Sequence, residues 1–478
     1  MHAGRRSSYR DSAERTARLA AGLARRLKPR SRVVLVMSNG PEFIEALWAI
    51  FWAGMVAVPV NRHLHPRELG YVAEHGEASM LIYDAATRDA VSAAVVGDRL
   101  QAVCAEGAEW RALEGEPSAG PAPVSPDDPA WLFYTSGTTG RPKGATLTHR
   151  NLVAMALNYY ADVDPVAPGT VCLHAAPLSH GSGLYLLPAI GHGATNVISD
   201  SESFDPGRFL SLVREHAVTH AAFLVPTMLR RLTDAARAEG RALPTLRHIT
   251  VGGSHLYEQD LADALEVFGP IVTQIYGQGE APMTISAMQP GLLTARDAPD
   301  TNWRSCGRPF TGVEIRIGDG RDHGDGGIWV RGDVVMSGYW NDPEATAAAL
   351  VEGWLATGGI GRLDSRGFLY LTDRAKDVII SGGSNIYPRE VEEALLLHPA
   401  VREAIVVGVP DPDWGESVRA YVVLTQGAEV GESELIDHCR SLIASYKKPR
   451  SVRFMDELPK SANGKLLRKA LKDLAAES

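Results

Sequence analysis

The stretch that most constrains this chain runs from Tyr134 to Gly144, Tyr-Thr-Ser-Gly-Thr-Thr-Gly-Arg-Pro-Lys-Gly. The apolar run Pro129 to Phe133 before it reads as a buried strand, and Thr148-His149-Arg150-Asn151 after it reads as the start of a helix. Gly137, Gly140 and Gly144 free the backbone to approach a ligand closely. The hydroxyls of Thr135, Ser136, Thr138 and Thr139, with exposed backbone N–H groups, can surround phosphate oxygens, and Lys143 adds a mobile positive charge. The Walker pattern Gly-x-x-x-x-Gly-Lys-Ser/Thr does not thread through this loop.

A chain of 478 residues exceeds one ordinary core, so two or more domains are expected. Apolar content of 45% and charged content of 22% are those of a soluble globular protein. Lys and Arg total 48 against 57 Asp and Glu, a net −9. That balance argues against nucleic acid as the main partner and means that an anionic substrate needs a local basic patch. Cys104, Cys172, Cys306 and Cys439 lie far apart, which fits a reducing compartment, not a disulfide framework. The Arg-rich first thirty residues lack the apolar core of a secretory signal. The longest uncharged apolar run, Ala46 to Val60, is broken by Gly54 and Pro59 and reads as helix then strand, so no membrane span and a cytoplasmic location are expected.

In chain order, Asp11 reads as a helix cap with Glu14 closing the box, followed by Ala17, Ala20, Leu23 and Leu27 at helical spacing. Strands at Arg32 to Met37, Met55 to Val60 and Ala78 to Tyr83 alternate with helices at Pro41 to Trp52 and Pro66 to Glu74, which implies βαβ units around a mostly parallel sheet. Glu116 to Asp128 reads as an exposed connection. Beyond the loop, strands at Val171 to His174, His248 to Val251 and Ile271 to Ile275 lead into glycine-bearing turns: Pro177 to Gly183, Gly252-Gly253-Ser254-His255 and Tyr276-Gly277-Gln278-Gly279-Glu280. Ligands gather at such carboxyl ends in open α/β sheets. Gly307 to Tyr370 reads as a small β-rich region, and the segment after Asp373 as a compact α+β unit.

The blocks Tyr134–Gly144, Tyr276–Glu280, Trp354–Asp364, Asp373–Glu390 and Pro459–Lys465, in this order, resemble those of the adenylate-forming superfamily, in its acyl- and aryl-CoA synthetase branch. The resemblance implies an α/β fold: a large N-terminal domain of mostly parallel βαβ sheets (1–373) and a small mobile C-terminal α+β lid (374–478). Members begin with a further strand and helix, so the chain reads as shortened there. The implied reaction is ATP-dependent activation of a carboxylic acid (aryl, cinnamate-like or medium-chain) to an acyl-adenylate, then transfer to CoA with release of AMP and pyrophosphate. By the same resemblance, Thr135 to Lys143 cradle the β- and γ-phosphates, Glu280 holds Mg²⁺ and Tyr276 lies against adenine. Gly253, Ser254, Gly277 and Gln278 complete the nucleotide site. Arg374 meets ribose hydroxyls, Lys376 is the domain pivot, and Lys465 bridges the acid's carboxylate and the α-phosphate. Gly382 and Gly383 let pantetheine pass, and His180, Ser182, Gly183, Tyr185, Gly252, His255, Gly279 and Pro282 wall the acid pocket.

Two positions depart from the family pattern. Thr357-Gly358-Gly359 replaces a Thr-Gly-Asp whose aspartate takes both ribose hydroxyls, and Gly279 replaces a threonine before the metal-binding glutamate. Slow or weak adenylation is expected, unless Asp364 or a water substitutes for the absent acid. Small and aromatic pocket residues suit a planar aryl or cinnamate-like acid better than a long alkyl chain. Two alternatives stand beside CoA ligation: adenylation serving a carrier-protein thiol or another oxyanion such as nitrite, and a nucleotide-binding relative without turnover. The chain is also compatible with a homodimer.

Overall fold

The computed structural model describes residues 1–94, 100–117, 120–135, 142–318, 325–374, 377–381, 384–461 and 465–476. The first helix, Tyr9–Arg26, starts earlier than the sequence suggests: Ser8 is its cap, accepting from the Asp11 N–H, while the Asp11 carboxylate accepts from the Ser8 N–H. Asp11 therefore closes the capping box instead of opening it, because the serine hydroxyl reaches a free N–H first.

Two seven-stranded sheets form the body. The first runs Gly338–Tyr339, Lys143–Thr148, Pro129–Thr135, Val56–Pro59, Arg32–Val36, Ala78–Tyr83, Gln101–Cys104. Its last five strands pair in parallel, as the βαβ alternation requires. At the other edge Pro129–Thr135 and Lys143–Thr148 form an antiparallel pair with Thr135 opposite Lys143. The strands on either side of 136–141 thus pair with each other, and a second strand, not a helix, follows that segment. The following helix, His149–Asp162, begins only after the second hairpin strand, with Thr148 as its cap.

The second sheet runs Arg308–Pro309, Ala281–Met288, Val272–Gln278, His248–Val251, His220–Leu224, Val171–His174, Thr195–Ile198. Here Tyr276, Gly277 and Gln278 continue the strand, and the chain turns at Gly279-Glu280 before returning as Ala281–Met288. The expected turn at 276–280 is therefore shorter. A Cβ at Gly277 would lie 2.5 Å from the Met283 nitrogen, so only glycine lets this hairpin fold onto itself.

A third, five-stranded sheet spans Glu314 to Arg374, and a fourth, also five-stranded, lies between Ile379 and Phe454. The fourth has its own core, with Ile379, Val391, Leu395, Val406, Val422, Leu435 and Val452 almost fully buried. Among the described residues no helix is long and apolar enough to cross a membrane.

Candidate active site

Three segments converge at the hairpin of Pro129–Thr135 and Lys143–Thr148. Ser136, Gly137, Thr138, Thr139 and Gly140 lie outside the described residues, but the two feet of the loop are defined. The Thr135 hydroxyl donates to Glu280 Oε1 at 3.2 Å, and the Tyr339 hydroxyl donates to the same oxygen at 3.0 Å. Lys143 Nζ sits 5.2 Å from the Tyr339 ring centroid and 4.0 Å from the Asp342 carboxylate. Burial, then the Glu280 charge, holds the Tyr339 phenol well above its ordinary pKa, so it stays a donor. Sequence reading missed Tyr339. The one signal available was its place after Gly338, whose absent side chain lets the strand close on Thr346.

A second corner gathers around Tyr276. A Cβ on Gly359 would come 3.3 Å from the Tyr276 hydroxyl, 3.3 Å from Thr357 Oγ1 and 3.4 Å from Ile328 Cδ1. Gly359 stands directly opposite Arg374 in the antiparallel pair of Trp354–Leu363 with Leu369–Arg374. Asp364 does not stand in for the absent acid. Its carboxylate is consumed by its own turn, accepting from the Arg366 and Phe368 backbone N–H groups at 2.9 Å and pairing with the Arg366 guanidinium at 3.1 Å. The side chain of Arg374, together with Lys376, Gly382 and Gly383, lies outside the described residues. The strands flanking the two glycines, Ile379–Ser381 and Ser384–Ile386, pair as a hairpin.

The third corner receives a residue from the far end of the chain. Lys465 Cε comes within 3.5 Å of where a Cβ of Gly253 would stand, and Gly253 has φ +83°. The positive φ favours glycine there. Lys465 is presented by a tight turn: the Ser461 N–H donates to the Lys465 carbonyl at 2.7 Å, and the Lys465 N–H to Ser461 Oγ at 3.2 Å. His180 lies close enough that Lys465, after burial, helps press its pKa down to about 4, which leaves the imidazole neutral at pH 7. Phe133 meets the His180 ring edge-on, centroids 5.7 Å apart. Cβ atoms at Gly181 and Gly253 would run into Phe223 at 2.8 and 3.3 Å, and the one at Gly181 also into Met283 at 2.8 Å. The surface facing Lys465 is thus small, apolar and aromatic.

Several expected pocket residues do other work. Ser182 is fully buried and bonds His174 Nδ1 at 3.1 Å, and Gly183 packs onto the Leu178 carbonyl, where a Cβ would sit at 1.7 Å. Both face the core because the short helix Gly181–Leu184 turns that side inward. Tyr185 is buried behind Phe223, Pro282 is buried in its strand, and Gly252 fits against Ile275. His255 points to the C-terminal unit: the Arg389 Nε donates to its Nε2 at 2.8 Å, and Glu393 lies 3.2 Å away. Burial, then Arg389, lowers its pKa to about 3. Gly279 is a fitted contact, since a Cβ there would stand 2.4 Å from Thr135 Cγ2 and 2.7 Å from the Phe133 ring. An open groove of about 450 Å³ along 236–246 and 267–271 lies instead at the amino ends of the strands, away from these groups.

The profile of the AMP-binding enzymes matches residues 1–340, and that of the AMP-binding enzyme C-terminal domain matches 390–465. The chain belongs to the AMP-binding enzymes. It is 39% identical over 476 residues to a feruloyl-CoA synthase of Amycolatopsis sp, covering 98% of this chain and 94% of that protein. Among solved structures, ATP-bound MatB from Rhodopseudomonas palustris superposes with a TM-score of 0.88 at 29% identity, covering 99% of this chain and 94% of that one. Apo MatB, at 30% identity and the same coverage, superposes at 0.77. This AMP-binding enzyme is therefore nearer in shape to the ATP-bound neighbour, in keeping with the approach of Lys465 to Gly253.

Proposed function

We propose that this AMP-binding enzyme activates a carboxylic acid with ATP and hands the acyl group to CoA. The carboxylate oxygen attacks the α-phosphorus and pyrophosphate leaves; the thiol sulfur then attacks the acyl carbon, and AMP leaves as the thioester forms. A carboxylate is a poor electrophile until an oxygen becomes a good leaving group, which adenylation supplies. In this reading residues 1–373 act as the adenylation domain and 374–478 as its lid.

The observation that carries the proposal is the approach of Lys465, from the C-terminal unit, to Gly253 and His180. An ammonium at this point faces an apolar surface on one side, and Thr135, Lys143 and Glu280 lie in the same large unit. Two anionic reactants need such a cation between them, because a mobile point charge can follow negative charge from carboxylate to phosphate. Lys143 and the loop hydroxyls would hold the β- and γ-phosphates, Tyr276 the adenine, and Arg374 the ribose.

Glu280 fits Mg²⁺. It is a hard oxygen donor held by two hydroxyls, and Mg²⁺ at a triphosphate takes one or two carboxylates with phosphates and waters, not a protein cage. Bound there, the ion would neutralise part of the triphosphate charge.

The aromatic lining by Phe133, His180 and Phe223 supports a flat aryl or cinnamate-like acid, as does the likeness to a feruloyl-CoA synthase. Pyrophosphate release across a panel of acids, with and without CoA, tests the reading. Release with aryl acids and thioester formation with CoA are expected; a preference for long fatty acids would reject the aryl assignment. Release without thioester would reject CoA as acceptor.

A further inference from the structure

Lys465 is useful only if its loop is held, and the structure shows what holds it. On the N-terminal side of the loop, Lys460 pairs with Glu403 at 3.2 Å, and Glu403 in turn meets Arg230 of the large unit at 2.6 Å. On the C-terminal side, Arg468 pairs with Glu392 at 2.6 Å, and Glu392 accepts from the Tyr257 hydroxyl of the large unit at 2.8 Å. Glu403 is 3% exposed and Glu392 2%. Buried carboxylates are costly unless their partners stay in place, so each resists any shift of its neighbours. Both large-unit anchors lie within five residues in sequence of the surface that Lys465 approaches: Arg230 on the helix Pro226–Glu239, which follows Val225, and Tyr257 shortly after Gly253.

We propose that Arg230–Glu403–Lys460 and Tyr257–Glu392–Arg468 form a two-point staple that positions Lys465 for the adenylation step. None of the six touches the acid or the nucleotide in this assignment; they are positioning residues. The staple serves one half-reaction only. Attack on the α-phosphorus brings two anions together and needs the ammonium. Attack of a thiol on a finished adenylate does not, since the bond to AMP is then breaking and the acyl group is already neutral. A variant that merely loosens the loop should therefore separate the two steps, whereas general damage to the fold should depress both.

This inference rests on the adenylation proposed above. The test compares wild type, Arg230→Ala, Tyr257→Phe, the double variant and Arg230→Lys. Folding is protected in the Arg230 variants because Glu403 keeps Lys460 at 3.2 Å and Arg402 at 3.7 Å. Three quantities are read: pyrophosphate release in one turnover, thioester formation from supplied acyl-adenylate with CoA, and amide hydrogen exchange at 465–468. Pyrophosphate release is expected to fall about tenfold in each single variant and on the order of a hundredfold in the double, the scale of an ångström-sized misplacement. Arg230→Lys should recover part of it, thioester formation should be unchanged, and exchange at 465–468 should rise. A parallel fall of both half-reactions, or full-speed adenylation in the double variant, overturns the staple. If wild type releases no pyrophosphate with any acid, the activity assignment fails, and exchange at 465–468 decides the staple alone: unchanged protection in the double variant overturns it.

Discussion

The corner proposed for the triphosphate and the corner proposed for the nucleoside are built differently. At the first, Glu280 is fixed by hydroxyls from Thr135 and Tyr339, and Lys143 rests over the Tyr339 ring. At the second, the Tyr276 hydroxyl lies 3.3 Å from where a Cβ of Gly359 would stand, and the nearby acid Asp364 is locked into its own turn. The two substituted glycines differ in the same way. An added Cβ at Gly359 would stand 3.3 Å from the Thr357 and Tyr276 oxygens, which need give only by a few tenths of an ångström, whereas at Gly279 it would stand 2.4 Å from Thr135 Cγ2. A glycine in place of a family residue is thus a close fit between side-chain ends at one position and a hard packing contact at the other.

The contrast can be broken experimentally. Glu280→Ala removes the group on which the first corner converges, and pyrophosphate release should drop on the order of a thousandfold, as when a preorganised electrostatic partner is lost. A minor effect would show that the corner is scaffold. Gly359→Asp should tighten ATP binding about tenfold, since a hydrogen bond to a charged group is worth about 1.5–3 kcal/mol; calorimetry showing no gain would refute the ribose argument. Gly279→Thr, which restores the family residue, should lower stability by about 1–3 kcal/mol through overpacking against Thr135 and Phe133. A denaturant midpoint at the wild-type value would show that Gly279 is a vacancy after all.

A separate effect concerns pH. His174, His180 and His248 are pressed to about 4 and His255 to about 3, in each case chiefly by burial. The unfolded chain therefore binds more protons than the folded one between roughly pH 6.5 and 4. Their contribution to stability is complete above that window and is lost as pH falls through it. Urea midpoints should decline from pH 7 toward pH 5, while pyrophosphate release should show no titration near 6.5 from His180.

Much of this architecture is legible in the chain because its signals are local. Pro41–Trp52, Ala78–Tyr83, Val171–His174 and His248–Val251 are bounded by their own apolar runs and punctuation. The strand Lys143–Thr148 escaped because Gly144, Thr146 and Thr148 give it little apolar character; its burial comes from pairing on both sides. Tyr339 escaped because its role depends on Glu280, 59 residues away. Glu392 and Glu403 went unmarked because their partners Tyr257 and Arg230 lie more than a hundred residues away. Ser182 and His255 sit in blocks that mark the pocket, yet the pitch of a short helix and the reach of Arg389 decide where they point.

The central claim is that two parts of the chain close over one ATP, with Lys465 supplying the charge between acid and phosphate. Single-turnover pyrophosphate release by Lys465→Ala, at saturating ATP and with ATP affinity measured alongside, tests it most directly. The account predicts a loss on the order of a hundredfold or more with affinity little changed; AMP transfer at the wild-type rate would contradict it.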